Sequence, residues 1–260
     1  MPTALACSAL LAAAAGGCGG DDGGAGSSAK ATAPAKAAAP RTAPAPPPAP
    51  RPPAGRAVRF ASSDGVALKG TFVAGRGRRA PGVVLVHEYR GGPDQFKVLV
   101  PYLHAAGFAT LRYGSRSAGE LDERILARDA AGAVRALRRQ PGVDAARVAV
   151  LGSSIGATTA AWTIGTKPAL RLRAAVGLSP AESPALIEAG TRGRFHPHDL
   201  LLVADRAEMV NARNIRQDAG GRGVTTLVAD TTGHGVELLT SAKVVQALVV
   251  WLDTHVKAPS

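Results

Sequence analysis

From residue 80 to about residue 164 the chain alternates short apolar runs with helix-type sequence, and three more such runs follow before residue 230. The runs are "GVVLVHE", "FATLRYG", "RVAVLGS", "LRAAVGLSP", "LLLVAD" and "VTTLVAD". "GVVLVHE" is a continuous β-branched run, as expected for a strand buried on both faces, and the other runs read as strands beside it. Strands alternating with helices imply a mainly parallel sheet covered by helices on both faces. Ahead of them "AVRFASSDGVALKGTFVA" predicts two strands joined at Ser63-Asp64-Gly65. Helices are predicted around "KVLVPYLHAAG", with Pro101 in its first turn and Gly107 as its stop, and from Ile155 to about Ile164. A third, "ELDERILARDAAGAVRALRRQPG", carries Leu126, Ala130, Ala133, Val134 and Leu137 on one stripe, and "VVQALVVWLDTHV" closes the chain. The stretch between "LRAAVGLSP" and "LLLVAD" shows little regularity and leaves little room for a lid domain, so a minimal lid or none is expected.

The chain is 46% apolar and 19% charged, enough to bury a sizeable core, but its first 55 residues do not belong to that core. "ALACSALLAAAAGGCGG" is too short to span a bilayer as a permanent helix and reads as a secretory signal within residues 1–18. Ala15-Gly16-Gly17-Cys18 resembles a bacterial lipoprotein box, in which the cysteine becomes the lipid-bearing first residue of the mature protein. That resemblance implies an extracytoplasmic protein held to the cell membrane through Cys18, with plain secretion as the alternative. Residues 19–55 are Gly/Ser-rich, then Ala/Pro-rich, and predict an extended spacer between the anchor and one folded domain over residues 56–260. With Cys7 removed and Cys18 acylated, the mature fold has no thiol pair to join. The net charge of +12 suits an anionic partner. The basic residues are not interleaved with aromatics, at 4% of the chain, so they read as solvated faces and no nucleic-acid partner is expected.

Where "RVAVLGS" meets the next helix the chain turns with no loop, through Gly152-Ser153-Ser154-Ile155-Gly156. A side chain at either glycine would collide with the neighbouring strand or helix at so tight a turn. Ser154 then stands at the C-terminal edge of the sheet, where functional groups gather in parallel sheets. This strand–G-x-S-x-G–helix arrangement matches the nucleophile elbow of the α/β-hydrolases. "GLSPA" nearly repeats the spacing at Ser179, but Pro180 has no N–H to donate, so Ser179 reads as a strand-end turn.

A serine nucleophile needs a base and an acid. The resemblance places the acid and then the histidine later in the chain. His234, in "TTGHGVE" after the last strand, occupies the base's place. His104 and His255 lie in helices and read as packing or surface groups. His196 and His198 have the spacing of a metal pair but no further ligand nearby, so no metal is expected. In "LLLVADRAEMV" the resemblance puts Glu208 at the acid's place and Asp205 at a usual glycine; Asp205 is the alternative acid and Asp230 the third. A helix cap is the other reading of Asp205.

"HEYRGG" resembles the loop after the third strand in esterases and, more closely, the Glu-containing loop of dienelactone hydrolases. That resemblance makes the N–H of Tyr89 an oxyanion donor beside that of Ile155, with Glu88 at a place commonly glycine and His87 as a buttress. Dienelactone hydrolases use cysteine at the elbow, where this chain has Ser154. The α/β-hydrolase resemblance covers nearly all of residues 56–257. It implies ester hydrolysis through an acyl-enzyme, with no cofactor and a small-molecule ester as substrate. An envelope acyltransferase on the same triad and a non-catalytic, tethered binding protein are the rival readings. No dinucleotide-binding glycine fingerprint is present.

Overall fold

The protein is described by a computed structural model at residues 51, 54–116 and 122–258. Cys18, the signal segment 1–18 and the spacer up to residue 50 lie outside the described residues. Strands β1 (Arg56–Ala61) and β2 (Ala67–Val73) form the expected hairpin, joined across Ser63-Asp64-Gly65, with Gly65 at φ 90°. Alternation begins at β3 (Ala80–Val86), followed by α1 (Val100–Ala105), β4 (Ala109–Tyr113), α2 (Glu123–Arg138), β5 (Val143–Ser153) and α3 (Ile155–Thr166). It continues through β6 (Ala174–Leu178), α4 (Pro184–Thr191), β7 (Leu200–Ala204), α5 (Met209–Asp218), β8 (Val224–Val228) and α6 (Ala242–Lys257). The eight strands lie in the order β1-β2-β4-β3-β5-β6-β7-β8. β2 pairs antiparallel with β1 and β4, and every other pairing is parallel.

Period-two alternation along each central strand feeds two cores. On β3 and β5, Val84, Val86, Val148 and Val150 join the core shared with α2, α3, α4 and α5. Val83, Leu85, Ala149 and Leu151 face the other way, into the core shared with α1 and α6. These strand residues are wholly buried, and each Val or Leu so placed contributes about 1.5–3 kcal/mol. Glycine opens the closest packing: a Cβ on Gly132 of α2 would stand 2.4 Å from the carbonyl oxygen of Ala61, so α2 lies directly against the end of β1. Between β6 and β7 the chain forms only the eight-residue α4, whose first turn Ser183 caps by accepting from the N–H of Leu186. The C-terminal edge of the sheet therefore carries no lid domain between those strands.

Candidate active site

At the C-terminal end of β5 the strand becomes α3 through the single residue Ser154. Its backbone sits at φ 54°, ψ −119°, a region that costs a non-glycine residue of order 1–3 kcal/mol. Two sets of hydrogen bonds hold it there. Its N–H donates to Leu178 O at 2.9 Å, and its carbonyl accepts from Ala157 N–H at 2.8 Å and Thr158 N–H at 3.1 Å. The glycines match the steric argument. A Cβ on Gly152 would lie 1.9 Å from Gly156 O, and one on Gly156 would lie 2.2 Å from Val86 O, on the neighbouring strand. Ser179 is more than a plain strand-end turn. It too has positive φ, 49°, and its N–H donates to Val203 O at 2.7 Å, while its hydroxyl is buried with no partner among the described residues.

His234 follows β8 in a short loop that leads into a 3-10 turn over Gly235–Thr240. Its own N–H donates to Glu237 Oε2 at 2.9 Å, which fixes the start of that turn. Nδ1 lies 2.7 Å from Glu208 Oε1, at the N-terminus of α5. An ionised carboxylate only accepts, so Nδ1 carries the proton and Nε2 is left as the basic nitrogen. The other oxygen of Glu208 is buried with no partner among the described residues, so the imidazole is the group that carboxylate serves. Ser154 Oγ makes no hydrogen bond to the imidazole among the described residues. In unliganded sites such contacts are commonly long and close when substrate binds.

Asp205, the alternative acid, makes no hydrogen bond to the imidazole among the described residues. Its Oδ1 accepts from Glu208 N–H at 2.9 Å and its Oδ2 from Gly233 N–H at 3.3 Å. These N–H groups hold its carboxyl below the usual carboxylate range. Asp205 thus clips the start of α5 to the residue before His234. Asp230, the third candidate, accepts from Ser241 Oγ and pairs with Lys243, also away from the imidazole.

The loop after β3 is tied from two sides. His87 Nε2 accepts from Ser115 N–H at 3.0 Å, so its Nδ1, 2.7 Å from Glu88 O, is the donor. The Glu88 carboxylate accepts from Ser153 Oγ and from Gln95 Nε2, each at 2.7 Å. The same carboxylate borders the histidine loop, since a Cβ on Gly235 would sit 2.5 Å from Glu88 Oε2 and 2.3 Å from Ser153 Oγ. Glu88 and Ser153 therefore join the third-strand loop, the elbow and the residue after His234. The N–H groups of Tyr89 and Ile155 make no hydrogen bond to another described residue. Tyr89 is 48% exposed, with the Arg90 guanidinium 5.3 Å from the centre of its ring.

Sequence reasoning missed a second network at this edge. Arg116, three residues past β4, donates from its backbone N–H and Nε to the fully buried Asp129 of α2, and from its guanidinium to Asp64 as well. Paired with Arg116, the Asp64 carboxyl is held far below its ordinary range. The remaining histidines are engaged elsewhere: His104 with Ala74 O, His196 with Gly193 O, His198 with Leu172 O and His255 with Asp199. His196 and His198 therefore do not converge as a pair.

No family model matches the chain, and no curated protein matches it in sequence. Solved structures do match it in fold. The Pyrococcus furiosus esterase Pf2001 superposes with TM-score 0.63 at 14% identity, covering 78% of this chain and 93% of that one. A dienelactone hydrolase of Anabaena variabilis gives TM-score 0.61 at 18% identity, over 79% and 97%. EstE1, a thermostable carboxylesterase from a metagenomic library, gives 0.63 at 15%, over 80% and 91%. Taken with the sheet order and the strand–Ser154–helix junction, these likenesses establish that the chain has the α/β-hydrolase fold.

Proposed function

We propose that the protein is a serine hydrolase of carboxylic esters, with Ser154 as nucleophile, His234 as base and Glu208 as acid. The observation that carries this reading is the 2.7 Å contact of His234 Nδ1 with Glu208, on the same sheet edge as a serine held at φ 54°. Ser154 Oγ attacks the ester carbonyl carbon and gives its proton to His234 Nε2. The carbonyl π pair moves onto oxygen, where the free N–H groups of Tyr89 and Ile155 receive it. As the carbon–oxygen bond to the alcohol breaks, His234 returns the proton to the leaving oxygen. Water, activated by the same imidazole, then releases the acid from Ser154. Glu208 keeps Nε2 free of its proton at the start and stabilises the imidazolium that forms.

The short β6–β7 connection supports an open site, suited to small or surface-presented esters. The lipoprotein-type Cys18 and the spacer after it support a location on the outer face of the cell membrane. A fluorophosphonate probe tests the chemistry, because it reacts readily only with an activated serine. Labelling and cleavage of p-nitrophenyl acetate are expected in the native protein and absent in Ser154→Ala with an unchanged circular dichroism spectrum. Equal turnover in Ser154→Ala removes that serine from the role.

A further inference from the structure

At the opposite edge of the sheet, before β6 and β7, lies an open cleft of about 820 Å³. Arg138, Arg171, Arg173, His198 and Asp199 line it. The five residues of β6 separate it from the elbow by about 17 Å at ~3.3 Å per residue. Three arginines and one aspartate thus share its lining, and the aspartate is held by His255 at 3.0 Å.

Arg138, the last residue of α2, donates through Nη2 to Leu170 O at 2.6 Å and Arg171 O at 3.0 Å. Those bonds hold the turn in which Arg171 adopts φ 45°, ψ 50°, a left-handed backbone uncommon for arginine. The turn thereby places Arg171 beside Arg138 in the lining of the cleft. Burial and the charge of Arg171 both hold Arg138 below its ordinary range, and Arg138 Nε is buried with no partner among the described residues. Arg171 makes no side-chain hydrogen bond or ion pair among the described residues, and Arg173 makes one bond, to Ala258 O at 3.2 Å. The turn gathers like charge in a concave site, with the Arg171 side chain unpartnered among the described residues, and guanidinium forks match tetrahedral oxyanions.

We propose that this cleft, lined by Arg138, Arg171 and Arg173, binds a phosphate group at the edge of the sheet remote from Ser154. The phosphate belongs to a soluble phosphate ester or to an anionic lipid headgroup, and the two sources separate experimentally. The proposal is independent of the ester-hydrolase reading, since its readout is binding.

The test is calorimetric titration of inorganic phosphate into the full chain at low ionic strength, beside flotation with phosphatidylglycerol/phosphatidylcholine vesicles. Saturable phosphate binding is expected, weakened about tenfold or more in Arg171→Ala and unchanged in Arg59→Ala, an exposed arginine on β1. Arg171→Glu serves as the folding control: a carboxylate beside Arg138 is expected to abolish phosphate binding while leaving Tm unchanged or raised. Flotation lost in Arg171→Ala identifies a headgroup as the source. Phosphate binding without flotation identifies a soluble ester. Absence of saturable phosphate binding, or equal weakening in Arg59→Ala, overturns the proposal.

Discussion

Glu208 and Asp205 stand three residues apart and do different work. Glu208 meets the imidazole, whereas Asp205 meets only backbone N–H groups. Glu208→Gln keeps an acceptor but removes the charge that stabilises the imidazolium, so kcat for p-nitrophenyl acetate is expected to fall about 10²- to 10⁴-fold with Tm preserved. Asp205→Asn leaves one oxygen where two N–H groups, on two loops, need acceptors. Its expected signature is a lowered Tm together with a loss of kcat approaching about 10²-fold, because the segments that carry Glu208 and His234 both shift. The sign of its pH dependence follows from its depressed pKa in the folded state. Its contribution is present above the unfolded carboxylate value, about 3.9, and lost as pH falls through the folded one. The native protein should therefore lose more stability below about pH 4 than Asp205→Asn does, which thermal melts across pH 2–6 measure. A Glu208→Gln variant with native kcat would move the acid's role elsewhere.

Among the elements, the β5–α3 junction leaves no room for a side chain at its glycines. Gly156→Ala would drive a methyl to 2.2 Å from the backbone oxygen of Val86, so α3 must retreat from β3. A loss of about 1–3 kcal/mol is expected from overpacking of this kind, read as a lower urea midpoint, with Ser154 displaced and activity lost alongside. The Arg116–Asp129 pair fixes the other wall. Arg116→Ala leaves Asp129 fully buried without its ion partner, which is expected to cost about 3–5 kcal/mol in urea unfolding. These elements also show what the sequence could reveal. The central strands were legible because Val and Leu run unbroken through them, and the elbow because its glycines are local. α4 was not: "PALIEAGT" buries only Leu186 and Ala189 among Gly, Thr and Glu. α5 was hidden for a similar reason, since Met209, Ala212 and Ile215 mark its buried stripe within an otherwise polar sequence. The choice between Glu208 and Asp205, and the reach of Glu88 to Ser153 across 65 positions, depend on chain crossings that no local pattern encodes.

For the whole molecule, the proposed ester hydrolase raises the question of how a strongly basic domain would reach its substrate. Residues 19–55 have the composition of a spacer, and Cys18 precedes it. Two kinds of attachment then have opposite signatures. A lipid at Cys18 holds by apolar burial, of about 0.8 kcal/mol per buried CH₂, and ignores salt. Attraction of the +12 charge to anionic lipid is screened within about 10 Å at 0.1 M salt. Expressed in a bacterium that processes lipoproteins, the native chain is expected in the membrane fraction and resistant to a 1 M salt wash (about 3 Å of screening length). Cys18→Ala should leave the protein soluble, or membrane-bound only until the wash. Fractionation with immunodetection, before and after the wash, separates the cases. A Cys18→Ala protein that stays salt-resistant on the membrane would rule out the acyl anchor and assign attachment to the domain itself. The phosphate cleft supplies the converse control. If it engages headgroups, the salt-labile part of the binding should vanish in Arg171→Ala while the salt-resistant part persists.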